Sequence, residues 1–277
     1  MDKKIGIFDS GYGGLTILDG IIKKMPNYSY IYLGDNFRAP YGGLTQEQVF
    51  NYTCQAINFL FKKKCDIVII ACNTVSAKAL RKIQHKYIDI NSGKRVLGVV
   101  VPLLEEVEEL AVNEDNKVGV LGTKATINSK VFQKEIKKRL SKVKVFSKSC
   151  PLLVPMIELG QIETKKINET LKKYTNNLVK KNLNILVLGC THFHYLEKEV
   201  KSIFSNKVKI IKTPEIVALK LKKYLDSHQE IKKKISTVSS LAFFTTGDEK
   251  KFEEFYKNNF GKSIRVKKIK LFSDTGI

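Results

Sequence analysis

The chain has 277 residues, 43% hydrophobic and 27% charged, which excludes a disordered protein and leaves material for about two domains. No apolar run approaches the roughly 20 residues that span a bilayer. Met1-Asp2-Lys3-Lys4 passes straight into Ile5-Gly6-Ile7-Phe8 without the longer apolar stretch of a secretory leader, so a cytoplasmic protein is expected. A net charge of +22 raises a nucleic-acid partner, but only five of the 49 cations are Arg and the lysines are spread along the whole chain. That pattern reads as a solvated surface, able at most to gather an anionic substrate.

In chain order, short Val- and Ile-rich runs predict strands at 5–9, 28–34, 66–71, 95–100, 117–121, 142–146, 184–189, 207–211, 241–245 and 263–272. Helical patterns lie between them at 45–63, 102–112, 129–140, 165–181 and 195–204. Apolar strands alternating with helices specify an α/β fold of mostly parallel sheets covered on both faces. The last run alternates with lysines and reads as a sheet edge.

The chain also repeats itself. Lys4-Ile5-Gly6-Ile7-Phe8 returns as Lys117-Val118-Gly119-Val120-Leu121. Asp66-Ile67-Val68-Ile69-Ile70-Ala71-Cys72-Asn73-Thr74 returns as Asn184-Ile185-Leu186-Val187-Leu188-Gly189-Cys190-Thr191-His192. The offsets, 113 and 118 residues, agree to within a short insertion. Two similar lobes are expected, each ending one strand with a cysteine.

Ligands of parallel sheets bind beyond the carboxyl ends of the strands, where Cys72 and Cys190 fall. Facing lobes would bring the two thiols to one cleft from opposite sides, an arrangement suited to removing a proton from one face of a carbon and returning one to the other. A single strand-end Cys is usually core packing; two in matching contexts, each followed by hydrogen-bonding residues, favour chemistry. Cys54, Cys65 and Cys150 are read as core residues, and the odd total of five without CxxC argues against disulfides.

The first strand ends in Asp9-Ser10-Gly11-Tyr12-Gly13-Gly14-Leu15, where a carboxylate and a hydroxyl on a glycine-rich turn point to an anion or amino-group site. Thr16 stands where a dinucleotide fingerprint needs its third glycine, and Gly119–Ala125 lacks the spacing of a P-loop. Arg38-Ala39-Pro40-Tyr41-Gly42-Gly43 reads as a shaped surface loop. Cys190, His192 and His194 would share a face if their strand continued, but no fourth ligand is evident and a helix from Tyr195 interrupts, so no metal is expected. No lysine lies in the strand-end motifs Asp9–Leu15, Ala71–Thr74 or Leu188–His192 to form a Schiff base, so no pyridoxal phosphate is expected.

Taken together, Ile7-Phe8-Asp9-Ser10-Gly11-Tyr12-Gly13-Gly14-Leu15, Leu33-Gly34-Asp35, Pro40-Tyr41-Gly42, Ala71-Cys72-Asn73-Thr74, the segment from Cys150-Pro151 to Glu158, and Leu188-Gly189-Cys190-Thr191-His192 resemble the motif series of the glutamate racemases, within the aspartate/glutamate racemase superfamily. The resemblance runs in order from Ile5 to about Ala218. It implies two pseudo-twofold related lobes, 1–99 plus 213–277 and 100–212, with the active site between them. It implies a cofactor-independent interconversion of L- and D-glutamate, the latter for peptidoglycan, and a homodimer. By matching motif, Cys72 and Cys190 are the acid/base thiols, Cys72 acting on the D form and Cys190 on the L form. Asp9, His192 and Glu158 assist them, and Asp9, Ser10, Tyr41, Gly42, Asn73, Thr74, Thr191 and His192 hold the substrate. Two stretches depart from the family: Phe193-His194-Tyr195 replaces its usual Tyr-Pro, and Lys212-Thr213-Pro214-Glu215 an Asp-Ser-Ala-like segment. An aspartate or hydantoin racemase, and a basic nucleic-acid-binding protein, are the competing readings.

Overall fold

A computed structural model describes residues 2–88, 92–111, 115–204 and 206–271. Every predicted strand appears: β1 Lys4–Asp9, β2 Ser29–Gly34, β3 Cys65–Ile70, β4 Arg95–Gly98, β5 Lys117–Gly122, β6 Lys144–Ser149, β7 Ile185–Gly189, β8 Lys209–Ile211, β9 Ser240–Thr245 and β10 Val266–Lys268. The last shrinks to three residues, and Phe272, at the end of its predicted run, lies outside the described residues. All pairings are parallel. Six strands form one sheet in the order β10-β9-β2-β1-β3-β4, and four form a second in the order β6-β5-β7-β8. The chain therefore leaves the first sheet after β4, completes the second, and returns to finish the first with β9 and β10.

Helices cover the sheets as continuous apolar strands require. Along β1, Ile5 and Ile7 face one core while Phe8 faces another, the two-residue alternation of a strand buried on both sides. The core holding Ile5 and Ile7 also holds Leu121, Leu186 and Leu188 of the second sheet, so one apolar layer runs beneath both. Two further cores close the outer faces: Val68 and Ile70 of β3 on the first sheet, Val118 and Val187 of β5 and β7 on the second.

The predicted helix at 45–63 is α2, Gln46–Lys62. Thr45 Oγ1 accepts from Gln48 N at 3.2 Å and Gln48 Oε1 accepts from Thr45 N at 3.0 Å. This reciprocal capping box is worth about 1 kcal/mol. Its inward face, Val49, Phe50, Thr53, Ile57 and Leu60, recurs at helical spacing. The helix predicted at 102–112 begins two residues early as α5, Val100–Leu110, and Val112 lies outside the described residues. Those at 129–140 and 165–181 are α7, Val131–Arg139, and α9, Lys165–Val179. That at 195–204 is α10, Glu197–Ile203, preceded by a 3₁₀ turn over Thr191–Leu196.

The remaining helices include α1, Gly14–Lys24, which packs against α11, Thr213–Ser227. A Cβ on Gly20 of α1 would lie 2.7 Å from the Pro214 carbonyl, so the two helices close up only on a glycine. No helix among the described residues is long and apolar enough to cross a membrane.

Candidate active site

The β3 ladder extends one residue beyond its last pair: Ala71 N donates to Phe8 O at 2.8 Å, leaving Cys72 at the strand mouth. There it caps α3, Asn73–Lys78. Cys190 occupies the same place after β7, at the start of the 3₁₀ turn. The two thiols, 6% and 4% exposed, line one cleft of about 250 Å³ at the carboxyl ends of both sheets. The cleft also takes in Ser10, Tyr41, Gly42, Asn73, Thr74, Glu158, Thr191 and His192, so every predicted site residue but Asp9 reaches it.

Asp9 is fully buried behind the wall. Its Oδ1 accepts from Gly11 N at 2.9 Å and its Oδ2 from Thr191 Oγ1 at 3.4 Å. Burial raises the pKa of its carboxyl, and His192 pulls the other way. Asp9 therefore joins the β1 end to the β7 end and adds to the effect of burial on Cys72. That thiol is pushed up to about 12 by burial and then by the Asp9 charge, with Ser10 Oγ, 3.4 Å from its sulfur, partly opposing them.

The Cys190 side differs. His192 Nε2 lies 2.8 Å from Glu158 Oε1 at the end of α8, Leu153–Glu158, and the ring is also hydrogen-bonded to the Cys190 thiol. Burial depresses the imidazolium, but these two hydrogen bonds outweigh it and hold the His192 pKa at about 10. At neutral pH the ring is thus a cation between the Glu158 carboxylate and the Cys190 side chain.

The glycine turn also has a packing role. A Cβ on Gly13 would stand 2.3 Å from Thr191 Oγ1 and 2.5 Å from His192 Nδ1. The missing side chain lets the β1 turn seat against the residues that follow Cys190.

Thr74 belongs to a triangle of hydroxyls with Thr123 (3.0 Å) and Thr126 (3.3 Å), themselves 3.0 Å apart. It joins α3 to α6, Lys124–Asn128, across the two sheets. Asn73, 2% exposed, lines the cleft with both ends of its amide unpartnered. Tyr41 contributes a wall but not a hydroxyl, which donates to Asp35. Of the stretch from Arg38 to Gly43, read as a surface loop, Ala39 to Gly43 instead forms one side of the cleft, its Tyr41–Gly43 segment a 3₁₀ turn.

Cys150 packs in the core as expected and also lines the cleft just past the end of β6, donating its backbone N–H to Gly122 O at 2.9 Å. Two further corrections follow. Cys65 lies within β3 rather than before it. His194 does not share a face with His192, because the helical turn starts at Thr191; its ring is buried with Nε2 unpartnered. Among the described residues no group of three His, Cys, Asp or Glu is placed to hold a metal ion. Thr123 was missed, although the repeat that pairs Lys4 with Lys117 sets it opposite Ser10.

Two parallel sheets whose strand ends bring two cysteines to one cleft define an α/β protein of the racemase class. Residues 22–221 match the Asp/Glu/Hydantoin racemase family, and the chain belongs to it. It is 35% identical over 267 residues to the glutamate racemase of Oceanobacillus iheyensis, covering 95% of this chain and 93% of that one. Among solved structures, a glutamate racemase isoform of Bacillus anthracis superposes with a TM-score of 0.88 at 32% identity, covering 97% of this chain and 98% of that one. The Francisella tularensis glutamate racemase in complex with D-glutamate superposes at 0.87 with 30% identity, covering 98% and 99%.

Proposed function

We propose that this chain is a glutamate racemase, inverting the α-carbon of L- or D-glutamate by transfer of one proton at each face. The observation that carries this reading is the pair of thiols, Cys72 and Cys190, at corresponding strand ends of the two sheets and lining one cleft. In each direction one thiolate takes the α-proton, leaving a carbanion, and the opposite thiol delivers its own proton to the other face. The enzyme ends with its thiols in exchanged protonation states, so a proton must return between them before the next turnover.

The surroundings divide the work. The His192 cation supports charge on Cys190, and Glu158 orients the ring. Cys72, kept protonated beside Asp9, serves as acid for substrate entering as the L form. For the D form the roles reverse, and Asp9 with Ser10 is the group nearest the base. The unpartnered Asn73 amide supplies a donor and an acceptor to the substrate's polar ends, beside Thr74, Thr191 and the Tyr41-Gly42 wall. No step in this scheme calls for a cofactor. The lobes are taken as 1–99 plus 213–277 and 100–212, a division supported by the membership of the two sheets.

A cytoplasmic homodimer supplying D-glutamate for peptidoglycan is the setting that goes with this activity. Circular dichroism or polarimetry of L-glutamate incubated with purified protein tests the reading. Decay of the signal to zero supports it, whereas decay with L-aspartate or a hydantoin alone transfers the assignment to another member of the family.

A further inference from the structure

The Tyr41–Gly43 turn is held from behind by a carboxylate outside the cleft. Asp35 follows β2 and is fully buried. Its Oδ2 accepts from Arg38 Nε at 2.6 Å and from the Tyr41 hydroxyl, and its Oδ1 accepts from Thr246 Oγ1 at 2.7 Å. Its backbone N–H donates to the carbonyl of Asp9 at 3.0 Å. Arg38 lies 4.0 Å from the centre of the Tyr52 ring and donates from Nη1 to Gln55 Oε1 at 2.6 Å, which fixes it on α2. Tyr41 is wedged between Phe8 and Tyr52, with ring centres 6.4 and 6.1 Å away.

We propose that Asp35 is a positioning residue for the reaction: by holding Tyr41 from inside the first sheet it fixes the cleft wall formed by Tyr41-Gly42-Gly43, and so sets the affinity for substrate. This rests on the glutamate racemase reading. The logic is that of a buried anion with three side-chain donors, which locks a loop only while all of them are satisfied. The wall lines the same cleft as Cys72 and Cys190 but carries no acid or base of the reaction, so a looser wall weakens ground state and transition state alike. That raises KM and spares kcat. A merely structural role would lower the folded fraction, and with it the apparent kcat, at unchanged KM.

The test compares wild type with Asp35→Asn, and with Thr246→Val, which deletes one donor and leaves the ion pair to Arg38. Asp35→Asn is expected to raise KM for both enantiomers by about tenfold with kcat within about twofold, and Thr246→Val by about twofold in the same direction. Amide hydrogen exchange over residues 38–44 should accelerate in both variants, a readout independent of turnover. Unchanged exchange in that segment, or unchanged KM in a variant with native circular dichroism, overturns the proposal; if Asp35→Asn does not fold, Thr246→Val decides it. A wild type inactive on glutamate overturns the racemase reading, and the exchange data still judge Asp35.

Discussion

His192 Nε2 lies 2.8 Å from Glu158 Oε1, which leaves the imidazolium held between a carboxylate and the Cys190 thiol. The ring's pKa is raised from its ordinary 6.5 to about 10 on folding, so the native state binds a proton that the unfolded chain releases. The resulting stabilisation is complete below pH 6.5 and is lost as the pH climbs to about 10. Glu158→Gln removes one partner, and the deficit should be about 2 kcal/mol below neutrality, shrinking toward zero as pH 10 is approached. Urea unfolding of both proteins at several pH values measures it; a deficit constant with pH contradicts the assignment.

His194 gives the opposite slope. Burial lowers its pKa from 6.5 to about 4, so the unfolded chain takes up a proton that the native ring refuses. Stability should fall as the pH drops from 6.5 to 4, and His194→Leu should flatten that part of the profile. Thermal melts across this range are sufficient, and a variant with the wild-type acid slope would place the effect elsewhere.

Cys72→Ser and Cys190→Ser should each reduce racemisation by about 10³-fold or more in both directions, since each direction needs an acid and a base. The remaining thiol still reaches its own face. Cys72→Ser should therefore exchange the α-proton of L-glutamate with D₂O and spare the D form, and Cys190→Ser should do the reverse. Proton NMR of each enantiomer follows the exchange. Two folded variants with racemase activity near wild type would end the two-thiol mechanism.

Gly13→Ala places a methyl group where Thr191 Oγ1 and His192 Nδ1 already stand, at 2.3 and 2.5 Å. The turn must back away, at a cost of about 1–3 kcal/mol. The larger effect is on the reaction, because displacing His192 by about 1 Å removes roughly 10²-fold in rate. Steady-state kinetics with a denaturation curve distinguish this from simple loss of fold: kcat should drop far more than the folded fraction.

The strands were legible because buried parallel strands are nearly continuous apolar runs, and β1, β3, β5 and β7 are of that kind. Where the sheet edge is half wet, the pattern thins. Phe146-Ser147-Lys148-Ser149 of β6 is only partly buried, and reading the strand as ending at Phe146 hid Cys150. Carried to Ser149, the same strand puts Cys150 one residue past its end, as Cys190 is past β7, with Cys72 two residues past β3. Several short helices, such as α3 and α8, gave no sequence signal because one or two turns do not establish a period. The long-range partners of Asp9 and Asp35 could not be read either, since Thr191 and Thr246 come from distant parts of the chain. Strand-end position, by contrast, follows from local sequence, which is why the placement of Cys72 and Cys190 was legible.

The order in which the sheets are assembled bears on how this protein is made. The second sheet comes from one uninterrupted stretch, β5 to β8, whereas the first waits for β9 and β10. As the nascent chain emerges, β2 presents an unpaired edge next to β1, Ser29–Gly34 being buried along its whole length only in the finished protein. Until β9 arrives to pair with it, that edge is open to any other extended strand, including one from a neighbouring ribosome. The interval of greatest aggregation hazard therefore falls between the completion of β2 at Gly34 and the arrival of β9 at Ser240, and a release before β9 would leave a second sheet able to form beside a first that cannot close.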